Sequence, residues 1–185
     1  MQQHGIGEMQ LLAGALAPLS RKRRIALIQP PHAPQALACD DLGIDAANLL
    51  WIKAARSADA LWSAEQLLGS GDGCGAVILW QANIRPESLR RLNLAAQAAD
   101  IWLWVMRPIS ARADASPSPL RLALRPSFGG ITIDIVKRRG PALDQPLRLA
   151  LPNMPSTTYV ELDHALLDQR VSAVAAARSL APALV

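Results

Sequence analysis

The sequence predicts an α/β protein: a doubly wound, mostly parallel sheet first, an antiparallel β extension after it. Three observations carry this prediction. Short apolar runs without alternation, "IALIQ", "LLWIK", "AVILW" and "IWLWVM", recur up to residue 106, with helical or turn-forming stretches between them. Strands buried on both faces of a helix-covered parallel sheet have this pattern. Beyond the loop "PISARADASPSP" the apolar period changes to two, which marks strands with one wet face. Finally, Gly5 and Gly7 stand just before a helical run, where nucleotide-binding α/β proteins place a phosphate loop.

The elements follow in order. From Gly7 to Leu19, the residues Met9, Leu11, Leu12, Leu16 and Leu19 recur at helical intervals, and Pro18 and Ser20 mark the end. After the basic run Arg21, Lys22, Arg23 and Arg24, the strand "IALIQ" stops at Pro30 and Pro31. A helix around Gln35 to Leu42, the strand from Leu49 and a helix from Ser57 to Leu68 lead into the glycine-rich "GSGDGCG". The strand "AVILW", a helix from Pro86 to Ala99 and the strand "IWLWVM" complete a parallel core over residues 1–107.

In residues 119–151, Leu120, Leu122 and Leu124 alternate with Arg121, Ala123 and Arg125. Ile131, Ile133 and Ile135 then alternate with Thr132 and Asp134, and Leu147, Leu149 and Leu151 with Arg148 and Ala150. The first two strands join through "PSFGG", where Gly129 and Gly130 supply the positive φ of a hairpin turn. We expect this extension on one edge of the parallel sheet, making residues 1–152 one domain. Residues 153–185 read as a linker and a helical tail, with Thr158 and Glu161 as a capping box and Val160, Leu167, Val171 and Val174 as its apolar positions. The tail is a candidate partner-binding segment.

Composition narrows the function classes. A chain of 185 residues, 51% of them hydrophobic, buries one sizeable core. Its net charge of +4 permits contact with nucleic acid or acidic proteins without specifying either. Cys39 and Cys74 have no C-x-x-C spacing, and nothing resembles a signal peptide, so we read the protein as cytoplasmic. The longest apolar stretches fall far short of the roughly 20 residues that a membrane-spanning helix needs. His4, His32 and His164 lack the paired spacing of metal ligands. No nucleophile elbow is present. We expect no catalytic residue, metal or cofactor.

The glycine pair sharpens that expectation. A working loop, G-x-x-x-x-G-K-[ST], uses its lysine to neutralise phosphates and its hydroxyl to bind magnesium. Here Gly7 takes the last glycine position, while Glu8 replaces the lysine and Met9 the hydroxyl. Glu8 suits the start of a helix, where the dipole stabilises a carboxylate by about 0.3–1 kcal/mol. The central strand "GAVILW" ends in Trp80, Gln81 and Ala82, none of which can hold magnesium through water as an acidic residue does. The loop formed by Gly5, Gly7, Glu8 and Met9 is therefore degenerate.

The order "GIGEMQLL", "ALIQPPHAP", "LLWIKAARSADALWSAEQLL", "CGAVILW", "LRRLNLAAQ", "MRP" and "LRLALRPSFGGITIDIVKRRGP" resembles ImuA, the RecA-related accessory family of bacterial translesion synthesis, over roughly residues 4–152. The resemblance implies a RecA-like core of P-loop NTPase type. Its implied role is a non-catalytic adaptor of the SOS DNA-damage response that supports error-prone synthesis with ImuB and the ImuC polymerase, with RecA as a further partner and self-assembly through a RecA-type edge. Family members carry an additional glycine-rich N-terminal segment with no counterpart in this sequence. More faintly, "W-x-x-E-x-L", "G-x-V-x-x-W", "L-x-x-A-x-x" and "R-P" resemble SulA, the SOS division inhibitor that binds FtsZ and blocks its polymerisation. SulA-like chains stop before the "RLALRP…KRRGP" hairpin, which places ImuA first and SulA as the alternative.

Candidate macromolecule-binding residues are cationic. Arg85, Arg90 and Arg91 lie in the first half of the helix "RPESLRRLNLAAQAAD", where a solvated basic face is the simpler explanation of them. Lys137, Arg138 and Arg139, with Arg121, Arg125 and Arg148 on neighbouring strands, would put up to six cations on one side of the small sheet. Such a cluster suits phosphate backbones or an acidic protein surface, making DNA a further candidate partner. No aromatic lies there to stack a base. Of the five tryptophans, Trp51 and Trp80 read as core or rim, and Trp102 and Trp104 share one sheet face; Trp62 is the fifth. Any exposed ring is a hot-spot candidate.

Overall fold

The computed structural model describes residues 4–70, 73–141, 143 and 145–151. The tail read at 153–185 lies outside the described residues. All described elements fall in one compact unit, Met1–Pro155.

Four parallel strands form the first sheet in the order β2-β1-β3-β4, where β1 is Arg24–Ile28, β2 Leu49–Ile52, β3 Cys74–Trp80 and β4 Trp102–Met106. Helix α1 (Glu8–Ser20) packs on one face, bringing Leu12 and Leu16 against Ile25, Leu27 and Ile78. Helices α3 (Ser57–Ser70) and α4 (Pro86–Ala99) cover the other, with Ala60, Ala64, Leu68, Leu92 and Ala96 against Ile28, Val77 and Leu79. A short α2 (Ala36–Asp41) follows β1 and buries Cys39. All seven residues of β3 are buried, the consequence of lying between two strands and two helical layers. At Gly75 an added Cβ would lie 2.8 Å from Leu19 Cδ1 and 2.9 Å from Arg23 Cβ, so the end of α1 sits directly on the backbone of β3.

The antiparallel strands β5 (Arg121–Ser127), β6 (Gly130–Lys137) and β7 (Leu147–Ala150) form a separate sheet in the order β5-β6-β7. They do not extend the parallel sheet: among the described residues β4 and β5 are not hydrogen-bonded to each other. The small sheet instead lays one face on the α1 side of the core, where Leu124, Ile131, Ile133 and Leu151 join Ile78, Trp80 and Met106. Gly129 alone supplies the positive φ of the hairpin, at 66°. Gly130 is needed for another reason: a Cβ there would stand 2.0 Å from the Leu149 carbonyl oxygen of β7.

Two further expectations are corrected. Ala123 is buried, although it stays in unbroken register with Arg125, on the face of Thr132 and Asp134, so alternation along β5 does not by itself separate wet from buried positions. Leu147 and Leu149 are exposed, although they lie opposite the buried Ile133 and Ile131 on the same face of the sheet, since no described element covers that face at β7. No described helix is long and apolar enough to cross a membrane.

Candidate functional site

The N-terminal loop sits at the carboxyl ends of the parallel strands, because α1 ends at Ser20 just before β1 begins at Arg24. Gly5 (φ 74°) and Gly7 (φ 104°) both adopt the left-handed conformation, and Leu11 N–H bonds the Gly7 carbonyl at 2.9 Å to start the helix. Glu8 is the first helical residue and only 4% exposed. Its Oε1 accepts a hydrogen bond from the Gly5 N–H at 3.0 Å. Its Oε2 is buried without a partner among the described residues. The loop is therefore closed on itself by an anion, in the space where a phosphate would need donors. No described strand precedes α1, so the strand–loop–helix unit of a P-loop fold is not formed by the described residues.

At the end of β3, Gln81 is buried, its N–H bonded to the Met106 carbonyl at 3.1 Å and its amide to the Asn83 carbonyl at 3.2 Å. The Trp80 Nε1 is buried and unpartnered among the described residues. No group of three or more His, Cys, Asp or Glu converges as a metal site among the described residues. Burial pushes the thiols of Cys39 and Cys74 above the ordinary range, which makes them packing residues and poor nucleophiles.

One groove of about 480 Å³ opens near this loop. Its walls include all of Trp102–Met106 and all of residues 118–124, with Glu8, Leu11, Leu12 and Ala15 closing one side. Successive strand residues point to opposite faces, so a surface touched by every residue of a strand runs along its edge. The groove thus separates the outer edge of β4 from the outer edge of β5, each an edge strand of its own sheet. Arg107, Arg112 and Arg121 line it with the single carboxylate of Glu8.

The sequence did not disclose this groove. Its one signal was the connection 107–120, which holds a short 3-10 turn, Ile109–Ala113, in place of a crossover helix. A further parallel strand would have needed such a helix.

The predicted cations do not gather on one side of the small sheet. Arg125 and Arg148 flank Thr132 across the ladder and so share a face with Asp134, which pairs with Arg125 at 2.6 Å and with Arg112 at 3.6 Å. Arg121 and Lys137 are opposite each other across the shifted register. Both turn to the preceding loop, Arg121 donating to the carbonyls of Asp114, Ala111 and Arg112 at 2.9–3.1 Å, and Lys137 to that of Ser116 at 2.9 Å. Arg138 donates to the Pro141 carbonyl at 2.6 Å, and Arg139 is exposed beside it. On α4, Arg85 and Arg90 are exposed and Arg91 pairs with Glu65 of α3. Arg107 pairs with Asp114 at 2.8 Å.

No known protein-family model matches the chain, and no curated protein sequence does. Among solved structures it is similar to a crystal structure of SulA from Pseudomonas aeruginosa, at 24% identity and a TM-score of 0.48. The match covers 57% of this chain and 92% of that one. The ImuA resemblance is not confirmed by these comparisons.

The tryptophans divide by exposure. Trp80 is buried, Trp104 packs half-buried on the core, and Trp51, Trp62 and Trp102 are exposed, Trp62 most of all at 62%.

Proposed function

We propose that this chain is a non-catalytic protein of the SOS response that acts by binding another protein, with SulA-like inhibition of FtsZ polymerisation as the reading to test first. The observation that carries the non-catalytic part is the buried Glu8 carboxylate bonded to Gly5. A triphosphate brought to that helix start would meet like charge in place of a lysine, and displacing the carboxylate would break the bond that closes the loop.

The division-inhibitor reading is supported by how the SulA-type residues are arranged. Trp62, Glu65 and Leu67 lie on α3, while Gly75, Val77 and Trp80 lie on β3. The Glu65–Arg91 pair ties α3 to α4, one helical turn from the exposed Trp62 ring. An exposed tryptophan on a braced helix pair suits a protein-binding anchor. Mixed with FtsZ at equimolar ratio, the chain is expected to stop GTP-driven assembly seen by light scattering, and Trp62→Ala to weaken that inhibition about tenfold or more. Normal FtsZ assembly at that ratio overturns the reading.

The second reading, an ImuA-like adaptor for ImuB and ImuC, has one observation in its favour. The segment most specific to that resemblance forms the hairpin of β5 and β6, with Arg125 and Lys137 at its surface. Capture of ImuB from damage-induced cells without any effect on FtsZ would establish it in place of the first. In either case calorimetry is expected to show no saturable binding of ATP and magnesium. A micromolar dissociation constant would refute the non-catalytic part.

A further inference from the structure

We infer that Gln29 is a strained latch that holds the start of α3 to the parallel sheet and marks the place where that helix can be released. Its side-chain amide stands in for a backbone N–H that Pro31 lacks. This goes beyond the proposed function, which uses α3 without saying what fixes it.

The ladder between β1 and β2 explains the need for such a residue. β1 lies between β2 and β3, so both of its edges are paired. It runs parallel to β2 with Ile28 opposite Ile52, and just beyond them the Gln29 N–H donates to the Ile52 carbonyl at 2.9 Å. Donors in a parallel ladder recur at every second residue and meet acceptors two residues further along the partner. The next bond would therefore run from residue 31 to the Ala54 carbonyl, but residue 31 is proline and has no N–H to give. The Gln29 Nε2 donates to that carbonyl instead, at 2.8 Å. One residue thus grips Ile52 and Ala54 together and extends the pairing past the point where the backbone of β1 can continue it.

The grip is held against the backbone. Gln29 has φ 51°, in the left-handed region that a residue other than glycine rarely adopts. It also precedes Pro30, which steers its neighbour toward extended backbone. Such a conformation persists where surrounding contacts over-determine it, and the bonds to Ile52 and Ala54 are those contacts. What hangs on them is the corner 53–56 and the helix that follows. Helix α3 begins with the Arg56 carbonyl accepting from the Asp59 and Ala60 N–H groups. Arg56 pairs with Asp59 within the same turn, which ties the helix start to itself and not to the sheet. Among the described residues, the Gln29 amide is the hydrogen bond that joins this corner to β1.

The test combines hydrogen–deuterium exchange and urea unfolding of the full chain, comparing the unaltered protein with Gln29→Glu, Gln29→Gly and Gln29→Ala. Gln29→Glu keeps the shape of the side chain and removes its donor. We expect at least about tenfold faster exchange at residues 59–63 in all three variants, with residues 74–80 of β3 unchanged, as for a local opening. The urea midpoint of Gln29→Gly should lie above that of Gln29→Ala. Glycine accepts the left-handed φ, whereas alanine must keep the strain or give up the bond to Ile52.

Unchanged exchange at 59–63 in Gln29→Glu overturns the inference, because the side chain would then only fill space. Faster exchange that spreads to β3 also overturns it, since the bond would then hold the sheet as a whole and not its corner. So does a midpoint for Gln29→Ala equal to or above that of Gln29→Gly, because the backbone at this position would then be relaxed. Both measurements are made without a partner, so the latch stands or falls independently of the proposed function.

Discussion

In the parallel sheet every residue of β3 is buried, whereas in the antiparallel sheet every residue of β7 is exposed. Both strands are short and rich in aliphatic residues, so composition does not explain the contrast. Position does. β3 is flanked by β1 and β4 and covered by α1 on one face and by α3 and α4 on the other. β7 pairs along one edge with half of β6. Stability should therefore concentrate in the first sheet, leaving the second free to present surface.

The contrast is broken or sharpened by five substitutions or measurements. Ile78→Ala, at a position with no exposure, is expected to cost about 2–5 kcal/mol in urea unfolding. A cost below about 1 kcal/mol would mean that the parallel core is looser than its burial implies. Gly130→Ala should cost about 1–3 kcal/mol, because the new methyl meets the Leu149 carbonyl oxygen and must push β7 away. An unchanged midpoint would show that β7 contributes nothing to the fold.

The cysteines give a smaller effect with a defined sign. Their folded thiols titrate above the ordinary value because burial disfavours the thiolate. In the unfolded chain they deprotonate first, near about pH 8.5. Stability is then flat below that pH and declines as pH rises above it, where the unfolded state has released more protons. Alkylation of Cys74, the more deeply placed of the two in the parallel core, should be at least about tenfold slower in the native protein than in urea. Equal rates would contradict its burial. Smallest of all, Leu149→Ser on β7 should change stability by no more than about 0.5 kcal/mol. A loss above about 2 kcal/mol would show that this face is covered in the whole protein.

Much of the first sheet was legible because its signal is local. The helix from Pro86 to Ala99 has the bounds read from sequence, since Pro86 suits the first turn and Leu89, Leu92 and Ala96 repeat at helical spacing. The unalternating strands declared a sheet covered on both faces. The small sheet was legible as three strands and a hairpin, but its attachment was not, because pairing between sheets depends on where the loop 107–120 leads. Leu147 and Leu149 carry the alternation of a buried strand and share the face of Ile133 and Ile131, yet are exposed; alternation assigns residues to a face without saying how far the core extends beneath it.

At the site, the identity of Glu8 and its place at a helix start could be read directly. Its burial and its bond to Gly5 arise from the left-handed turns at Gly5 and Gly7, which fold the loop inward. The cations were legible as residues but not as a cluster, because Asp134 and the carbonyls of the preceding loop draw them in different directions.

The missing side chain at Gly75 has a mechanical outcome. With Leu19 and Arg23 resting where a Cβ would otherwise project, the chain leaving α1 packs directly on the central strand, and any side chain at that position would have to wedge the two layers apart.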